Sequence, residues 1–479
     1  MTMLSNSTIT KLVGVLILVL IAYFLWPTPR TLHEGPADSL PQLMSPVTGE
    51  PLLTPDVIAT LTDSPCYDSL FYLAQRYVSD EKTYQALEAV DTQMQELPAS
   101  YQMENPWKGN ITVDGLVVNM LTTFRDWCTF LPSISGDQDN GLKYIQNFAW
   151  YYYKNPAAQA FVQGYMPDHL TPLETGFKFT RDFSMQRGAY MNTQASAALV
   201  PEWVEDPRIE ITDYIPPAGD EYNYSSWNEF FARQIKIDTQ NEIIPSRPVT
   251  MPEKDYVVSS PTDCIMNPLV QVLGGTMESE RAFINNPLQA DTVLDVKNIP
   301  IDLIHLLGHT PDDIKQKFVG GTGLSCVLMP NTYHHFHSPV SGEVVHAEVI
   351  EAGTYGYIDW PNWVPQDGNV GRAGTDFGQF EVFQRGVVII EVTYKNVFGN
   401  EIEGYVASIP VGLDTIGSVV LDEDIVPGAQ VKRGYTRLGN FFYGGSLNIL
   451  LFSKGLATGA VQTRMGNQIT LFDIGNAPE

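Results

Sequence analysis

The run Phe-Phe-Tyr-Gly-Gly-Ser-Leu-Asn-Ile-Leu-Leu-Phe occupies residues 441–452 of the 479-residue chain. Two glycines and a serine separate aromatic residues from a continuous apolar run, which predicts a buried strand that begins near the serine. Glycine has no Cβ, so the carbonyl of Gly445 can be approached closely by the neighbouring Ser446. A peptide of this kind could be attacked by its own serine. The same tripeptide also fits a tight turn before a core strand, and other residues must decide between the two interpretations.

A histidine cluster lies upstream. His334, His335 and His337 account for three of the eight histidines in the chain. A serine hydroxyl becomes a useful nucleophile beside a base, and histidine is the side chain best suited to proton transfer near neutral pH. The alternatives are structural or solvated histidines, or metal ligation together with His305 and His309, which have the i, i+4 spacing of a helix. No cysteine or glutamate motif completes a zinc pattern, so no metal is predicted.

A single carboxylate stands out in the segment Ser-Ser-Pro-Thr-Asp-Cys-Ile-Met at residues 259–266. Asp263 lies between a turn signal and an apolar segment that predicts a strand. An aspartate in this position is either a turn former or the partner that orients a histidine. Both interpretations remain open from the residues alone.

The three segments resemble, in their order and spacing, the phosphatidylserine decarboxylase family of self-processing pyruvoyl enzymes. The most specific element is Tyr-His-x-x-His-x-Pro, found here at residues 333–339. The resemblance covers the chain from Trp227 to the apolar run after the Gly-Gly-Ser. Its other motifs are Trp-Asn-Glu-Phe-Phe-Ala-Arg at 227–233, Arg-Pro at 247–248, Pro-Thr-Asp at 261–263 and Leu-Ile-His-Leu-Leu-Gly at 303–308.

The resemblance implies a role for each matching residue. Asp263 would orient His337, and His337 would deprotonate Ser446. The Ser446 oxygen would then attack the carbonyl of Gly445, and the chain would be cut between residues 445 and 446. The resulting ester would eliminate and leave a covalent pyruvoyl group in place of Ser446. His334 would protonate the substrate carbon after carbon dioxide leaves.

The same resemblance implies the cofactor and the partners. A pyruvoyl carbonyl condenses with a substrate amine and accepts the electrons left by carbon dioxide. The leading prediction is decarboxylation of phosphatidylserine to phosphatidylethanolamine, with the cleaved C-terminal fragment retained as a subunit. The alternatives are decarboxylation of a free aromatic amino acid, or a non-enzymatic, membrane-tethered binding protein with the same fold. Leu447 stands where many family members have a small hydroxyl residue, which bears on the rate of self-cleavage.

Composition limits the remaining possibilities. The net charge of −27 excludes nucleic acid as a partner, because phosphates would be repelled. The four cysteines have no Cys-x-x-Cys spacing that would indicate a zinc ribbon. A disulfide between Cys66 and Cys128 would require an oxidising compartment.

The N-terminus predicts a membrane anchor. After Lys11, residues 12–26 carry no charge, a length between that of a signal-peptide core and that of a full membrane span. The bulky residues at the end of this run, Tyr-Phe-Leu-Trp-Pro, favour an uncleaved anchor over a cleavable signal peptide. Lys11 and Arg30 flank the run and leave the side of the membrane undetermined.

The chain is therefore divided into an anchor at 1–26, a proline-rich linker at 27–56, a helical accessory domain at 57–220 and a catalytic domain at 221–479. The predicted fold class is α+β, with the helices first and a largely antiparallel, β-rich part after them. A hairpin is predicted from strands at 386–394 and 404–410 joined by a turn at 396–400, and a long loop at 355–378. The helical domain resembles the extra N-terminal domain of decarboxylase-related proteins that include fungal aromatic amino-acid decarboxylases.

Overall fold

The structure is a computed structural model. It describes residues 42–96, 107, 112–134, 144, 148, 151, 155–219, 221–273, 280–283, 287–290, 292–295, 300–328, 331–350, 385–413 and 419–457. The predicted anchor, the first half of the predicted linker and the predicted loop at 355–378 lie outside these residues. In the described part of the chain, none of the helices is both long enough and apolar enough to cross a membrane.

The described α-helices lie mainly in the first half of the chain. They are α1 (Pro55–Thr62), α2 (Tyr67–Ser79), α3 (Glu81–Glu96), α4 (Val113–Thr129), α5 (Pro156–Gln163), α6 (Glu174–Tyr190), α7 (Val200–Glu205), α8 (Trp227–Phe231), α9 (Leu303–Leu306) and α10 (Asp312–Lys315).

Local sequence explains where several of these helices begin. The side-chain oxygens of Thr54, Thr112 and Asn155 accept hydrogen bonds from the backbone N–H groups of the first turns of α1, α4 and α5. Such caps satisfy N–H groups that have no partner inside the helix. The buried residues of α2 and α4 recur every three or four positions, so each helix presents an apolar face to the core.

The described strands follow the helices. They are β1 (Ile265–Pro268), β2 (Val270–Leu273), β3 (Glu280–Phe283), β4 (Val293–Asp295), β5 (Pro300–Asp302), β6 (Thr322–Leu328), β7 (His335–His337), β8 (Gly342–Ile350), β9 (Arg385–Lys395), β10 (Glu401–Leu413), β11 (Val419–Leu421), β12 (Gln430–Val431), β13 (Arg437–Phe441) and β14 (Gly445–Phe452). Every strand pair among the described residues is antiparallel.

The strands form three sheets, of which the largest holds the Gly-Gly-Ser segment. Its order is β1-β6-β14-β10-β9-β8-β12, and β14 therefore has a neighbour on each side. A smaller sheet, β11-β13-β7, carries the histidine cluster, and a third has the order β3-β2-β4-β5. The structure confirms three predictions from sequence. These are the α+β fold class, the buried strand that begins near Ser446, and the hairpin formed by β9 and β10.

Strand β14 is buried on both faces. Leu447, Ile449 and Leu451 belong to the hydrophobic cluster that also contains the helical core. Leu450 and Phe452 belong to a second cluster, with α8 and β13. A strand covered on both faces needs successive apolar residues rather than an alternating pattern, and residues 449–452 have this pattern. The buried Asn448 is hydrogen-bonded to Ser408 of β10.

The helical and sheet regions share one body. From Leu43 onwards the chain forms a single compact unit, and one hydrophobic cluster includes residues of both regions. The domain boundary at residues 220 and 221 therefore stays a prediction.

One local expectation from the sequence is wrong. His305 and His309 do not lie one turn apart on a helix, because α9 ends at Leu306. Gly308 follows with a φ of 59°, a left-handed conformation that glycine adopts without steric cost and that turns the chain.

A disulfide joins the start of α2 to the end of α4. Cys66 and Cys128 are both fully buried, and the bridge closes a sequence separation of 62 residues. We predict that replacing both cysteines by alanine lowers the free energy of unfolding by about 2–5 kcal/mol. Chemical denaturation measures this change. Reductant should destabilise the wild-type protein and leave the double variant unchanged; equal sensitivity of the two proteins would contradict the prediction.

Candidate active site

Ser446 is the second residue of β14 and is only 2% exposed. It pairs with Gly412 of β10 on one side and with Leu328 of β6 on the other. Alternate residues of a strand point to the same face, so Ser446 shares the face of Leu450 and Phe452, which is the face of the second cluster. Its hydroxyl donates a long hydrogen bond of 3.4 Å to the carbonyl of Gly444.

The histidine cluster is divided between two sides of the chain. The rings of His335 and His337 lie beside that of Tyr333, with centroid distances of 5.0 and 5.7 Å. His334 instead stacks on Phe231 of α8 at 3.7 Å, in the second cluster. The two histidines with predicted roles, His334 and His337, therefore face different surroundings.

Of the two histidines with predicted roles, His334 is paired closer in the chain to the Gly-Gly-Ser segment. Its carbonyl accepts a hydrogen bond of 2.9 Å from the N–H of Phe441, four residues before Gly445. His337 pairs with Arg437 at the other end of β13. Three residues of a strand span about 10 Å, which separates the two histidines along the chain.

Burial determines the charge of His334. The ring is 1% exposed, and its Nδ1 has no hydrogen-bond partner among the described residues. Desolvation, assisted by the positive charge of Arg233, lowers the pKa of His334 well below 6.5. The imidazole is therefore neutral at pH 7, with a nitrogen available to a further group.

Hydrogen bonds define the tautomer of His337. Its Nδ1 lies 3.1 Å from the carbonyl of Tyr435, which can only accept, so Nδ1 carries the proton. Its Nε2 consequently accepts a hydrogen bond of 2.9 Å from the hydroxyl of Tyr333. Burial lowers the pKa of His337 to about 4. The basic nitrogen of this neutral imidazole is occupied by the tyrosine.

Asp263 lies two residues before β1, in a bend. Both of its carboxylate oxygens accept hydrogen bonds from Arg247, at 2.9–3.1 Å. The backbone N–H of His337 donates to the carbonyl of Pro261 at 2.7 Å, so the segment that carries Asp263 runs beside His337. Among the described residues, however, no hydrogen bond joins Asp263 to His337 or His337 to Ser446. The structure thus places the segment of Asp263 beside His337, and shows no hydrogen bond from either residue to Ser446 among the described residues.

The loop before β7 is held by residues that follow α8, and this support was not predicted. The buried guanidinium of Arg233 donates to the carbonyls of Asn331 and Thr332, at 2.9 and 3.2 Å. The carbonyl of Ala232 accepts a hydrogen bond of 2.8 Å from Nε2 of His335. The motif at residues 227–233 was noticed in the sequence, but its spacing does not reveal which distant loop it contacts.

Within the described ranges, no group of three or more histidine, cysteine or acidic side chains is arranged to hold a metal ion. Nδ1 of His309, one of the proposed ligands, is hydrogen-bonded to Glu348 at 2.8 Å.

Comparison with known proteins decides the family. The family model described as phosphatidylserine decarboxylase matches residues 227–471, about half of the chain. The chain belongs to the phosphatidylserine decarboxylase family. The family consists of carboxy-lyases, and this membership assigns the chain to that enzyme class. The helical region lies outside the matched residues.

Individual relatives agree with this assignment. Decarboxylase iboD of Amanita muscaria is 26% identical over 290 residues, which cover 55% of this chain and 73% of that protein. Phosphatidylserine decarboxylase proenzyme 3 of Schizosaccharomyces pombe is 26% identical over 59% of this chain, and the match spans only 24% of that protein. The phosphatidylserine decarboxylase proenzyme of Chlamydia trachomatis is 26% identical over 56% of this chain and 72% of its own length.

The buried histidines predict a loss of stability in acid. The pKa of His335 is lowered to about 3 and that of His337 to about 4, mainly by burial, against 6.5 for the free side chain. Below pH 6.5 the unfolded chain binds protons that the folded chain does not. The stability contributed by the neutral rings is therefore complete above pH 6.5 and falls as the pH drops from 6.5 towards 3.

The test is the pH dependence of unfolding in His335→Gln, in which an amide N–H can still donate to Ala232. We expect the free energy of unfolding of this variant to fall less between pH 6.5 and 4 than that of the wild type. His169→Asn replaces an exposed histidine and serves as the control. Parallel pH profiles for wild type and His335→Gln would contradict the prediction.

Proposed function

We propose that this chain is a proenzyme that cuts itself between Gly445 and Ser446 and then decarboxylates phosphatidylserine to phosphatidylethanolamine. The observation that carries the proposal is the position of Ser446. It follows a glycine at the start of a central, doubly buried strand, on the face where the neutral ring of His334 packs. Membership of the decarboxylase family supports the reaction, and the names of the proenzyme relatives support the substrate.

The cleavage uses only groups of the chain. The Ser446 oxygen adds to the carbonyl carbon of Gly445, the peptide C–N bond breaks, and an ester with a free Ser446 amine results. Loss of the α-proton of Ser446 then expels the carboxylate of Gly445, which becomes a new C-terminus. Hydrolysis of the remaining dehydroalanine releases ammonia and leaves a pyruvoyl group.

In this proposal His337 is the base that takes the Ser446 proton, and Asp263 stabilises the charge that His337 acquires. A neutral imidazole suits the role of base. In the uncut chain its Nε2 accepts the Tyr333 hydroxyl, so this hydrogen bond must be exchanged for one from Ser446. The bidentate contact with Arg247 must loosen in the same way before Asp263 reaches His337.

The pyruvoyl group would supply an electron sink for the decarboxylation. His334 is the proposed donor of a proton to the substrate carbon. Its buried Nδ1 has no partner among the described residues, which leaves a polar contact for a substrate to make.

The fragment from Ser446 to Glu479 would remain as a subunit after the cut. From Ser446 to Phe452, β14 pairs with both β6 and β10, and its apolar side chains are buried on both faces. Of the paired residues of β14, only Gly445, opposite Leu413, lies on the other side of the cut.

A membrane location is part of the proposal. The uncharged segment at residues 12–26 is the proposed anchor, and proximity to a bilayer would give access to a lipid substrate. The Cys66–Cys128 disulfide supports an oxidising compartment for the part of the chain that carries it.

Intact-mass analysis tests the self-cleavage. The wild-type protein should give two chains, one that ends at Gly445 and one that begins with a ketone-bearing group and reacts with carbonyl reagents. Ser446→Ala should remain whole. Ser453→Ala is the matched control, because Ser453 is also a buried serine, lies directly after the same strand and should not affect cleavage. A wild-type chain that stays whole would overturn the proposed function.

A second prediction separates the two histidines. His337→Gln should block cleavage, whereas His334→Gln should still cleave and then lose decarboxylation by about 100-fold or more, as expected for removal of a general acid. Carbon dioxide release is measured with phosphatidylserine vesicles and, in parallel, with free aromatic amino acids. Release from the amino acids alone would replace the proposed lipid substrate, and cleavage that depends on His334 instead of His337 would reverse the roles.

A further inference from the structure

We infer that Asn228 and Tyr443 act together as positioning residues for the self-cleavage. They fix the chain two residues before Gly445, so that the peptide attacked by Ser446 is held in place. The inference rests on the proposed function, and it assigns a purpose to contacts that link the helical region to the cleavage segment.

The first contact is made by the amide of Asn228, a residue that is 3% exposed. Its Oδ1 accepts a hydrogen bond of 3.2 Å from the backbone N–H of Tyr443. Its Nδ2 donates to Oδ1 of Asn192 at 3.0 Å, and its backbone N–H donates to the carbonyl of Met191, also at 3.0 Å. The two side-chain hydrogen bonds orient the amide with its oxygen towards Tyr443, and the backbone hydrogen bond holds the residue itself in place.

The second contact is made by the ring of Tyr443, which is 9% exposed. Trp227 and Phe231 pack edge-on against it, with centroid distances of 5.7 and 5.4 Å. Phe231 also stacks on His334. The same phenylalanine therefore determines how far the cleavage segment lies from the histidine proposed for catalysis.

The third contact comes from the helical region. The guanidinium of Arg187, on α6, lies over the Tyr443 ring at 5.8 Å. The same guanidinium donates to the carbonyls of Cys128 and Phe130 at the end of α4, at 3.0 and 3.1 Å. Arg187 is 1% exposed, so its position is set by this packing. The disulfide-bonded end of α4 is thereby connected to Tyr443 through one side chain.

These contacts matter because attack of Ser446 on its own peptide is an intramolecular reaction. The rate of such a reaction depends on a near-attack geometry, and a displacement of about 1 Å can reduce it about 100-fold. Gly444 and Gly445 have no side chains that could fix the peptide from within. The sheet holds the peptide from its C-terminal side, and on the N-terminal side the constraint comes from the residue before the two glycines, which is Tyr443.

The experiment follows cleavage of newly synthesised full-length protein over time. Asn228→Ala should slow cleavage at least about tenfold. Asn228→Asp keeps an acceptor for the Tyr443 N–H and should cleave faster than Asn228→Ala. The matched control is Asn155→Ala, which removes another fully buried asparagine whose amide makes two hydrogen bonds in the helical region. It should cleave at the wild-type rate. Thermal unfolding of each uncut protein, on a Ser446→Ala background, measures the loss of stability separately.

Hydroxylamine gives a readout that a merely structural role would not change. It cleaves the ester intermediate and so reports the step in which Ser446 attacks Gly445. If Asn228→Ala misplaces the peptide, little ester forms and hydroxylamine should not restore the cut. Restoration by hydroxylamine, wild-type cleavage by Asn228→Ala, or equal slowing in Asn155→Ala would each overturn the inference. If the wild-type chain itself stays whole, the proposed function fails and the inference fails with it.

Discussion

The position of β14 between β6 and β10 is the constraint on which the site depends. Hydrogen bonds on both sides fix the register of Ser446 against Gly412 and Leu328. A register shift of β14 by one residue would turn the Ser446 side chain to the opposite face of the sheet. It would then face the cluster that contains the helical core and not the side on which His334 packs. The apolar residues after Ser446 oppose this shift, because Leu447, Ile449 and Leu451 pack in one hydrophobic cluster and Leu450 and Phe452 pack in the other. The cleavage segment is thus held from its C-terminal side by the sheet itself.

The same strand explains how a cut at this point could leave the fold intact. Full burial of a large apolar side chain contributes about 1.5–3 kcal/mol. Leu447, Ile449, Leu450, Leu451 and Phe452 are each no more than 2% exposed. Their burial lies wholly on the C-terminal side of the proposed cut, and so do the pairs of both hydrogen-bond ladders except that between Gly445 and Leu413. The N-terminal side has its own anchor at Tyr443, so the two new ends would be retained by separate contacts.

Much of this architecture was predictable from sequence because it is local. The run at residues 447–452 and the turn at 396–400 depend on neighbouring residues, and the structure agrees with both. The hydrogen-bond partners of the site residues depend on the tertiary structure. Asp263 pairs with Arg247, and His337 with Tyr333, through geometry that no spacing rule supplies. The end of α9 was missed because Gly308 outweighs the helical spacing of the two histidines around it.

One feature of the histidine motif could have been read from its spacing. Side chains three positions apart along an extended segment point to opposite sides, and His334 and His337 are three apart. Each consequently has its own surroundings: His334 contacts Phe231, and His337 contacts Tyr333 and Tyr435. A motif with this spacing cannot aim both rings at one atom without bending the strand. It therefore suits the proposed function, in which two proton transfers, one at the peptide and one at the substrate, occur at different times and use different histidines.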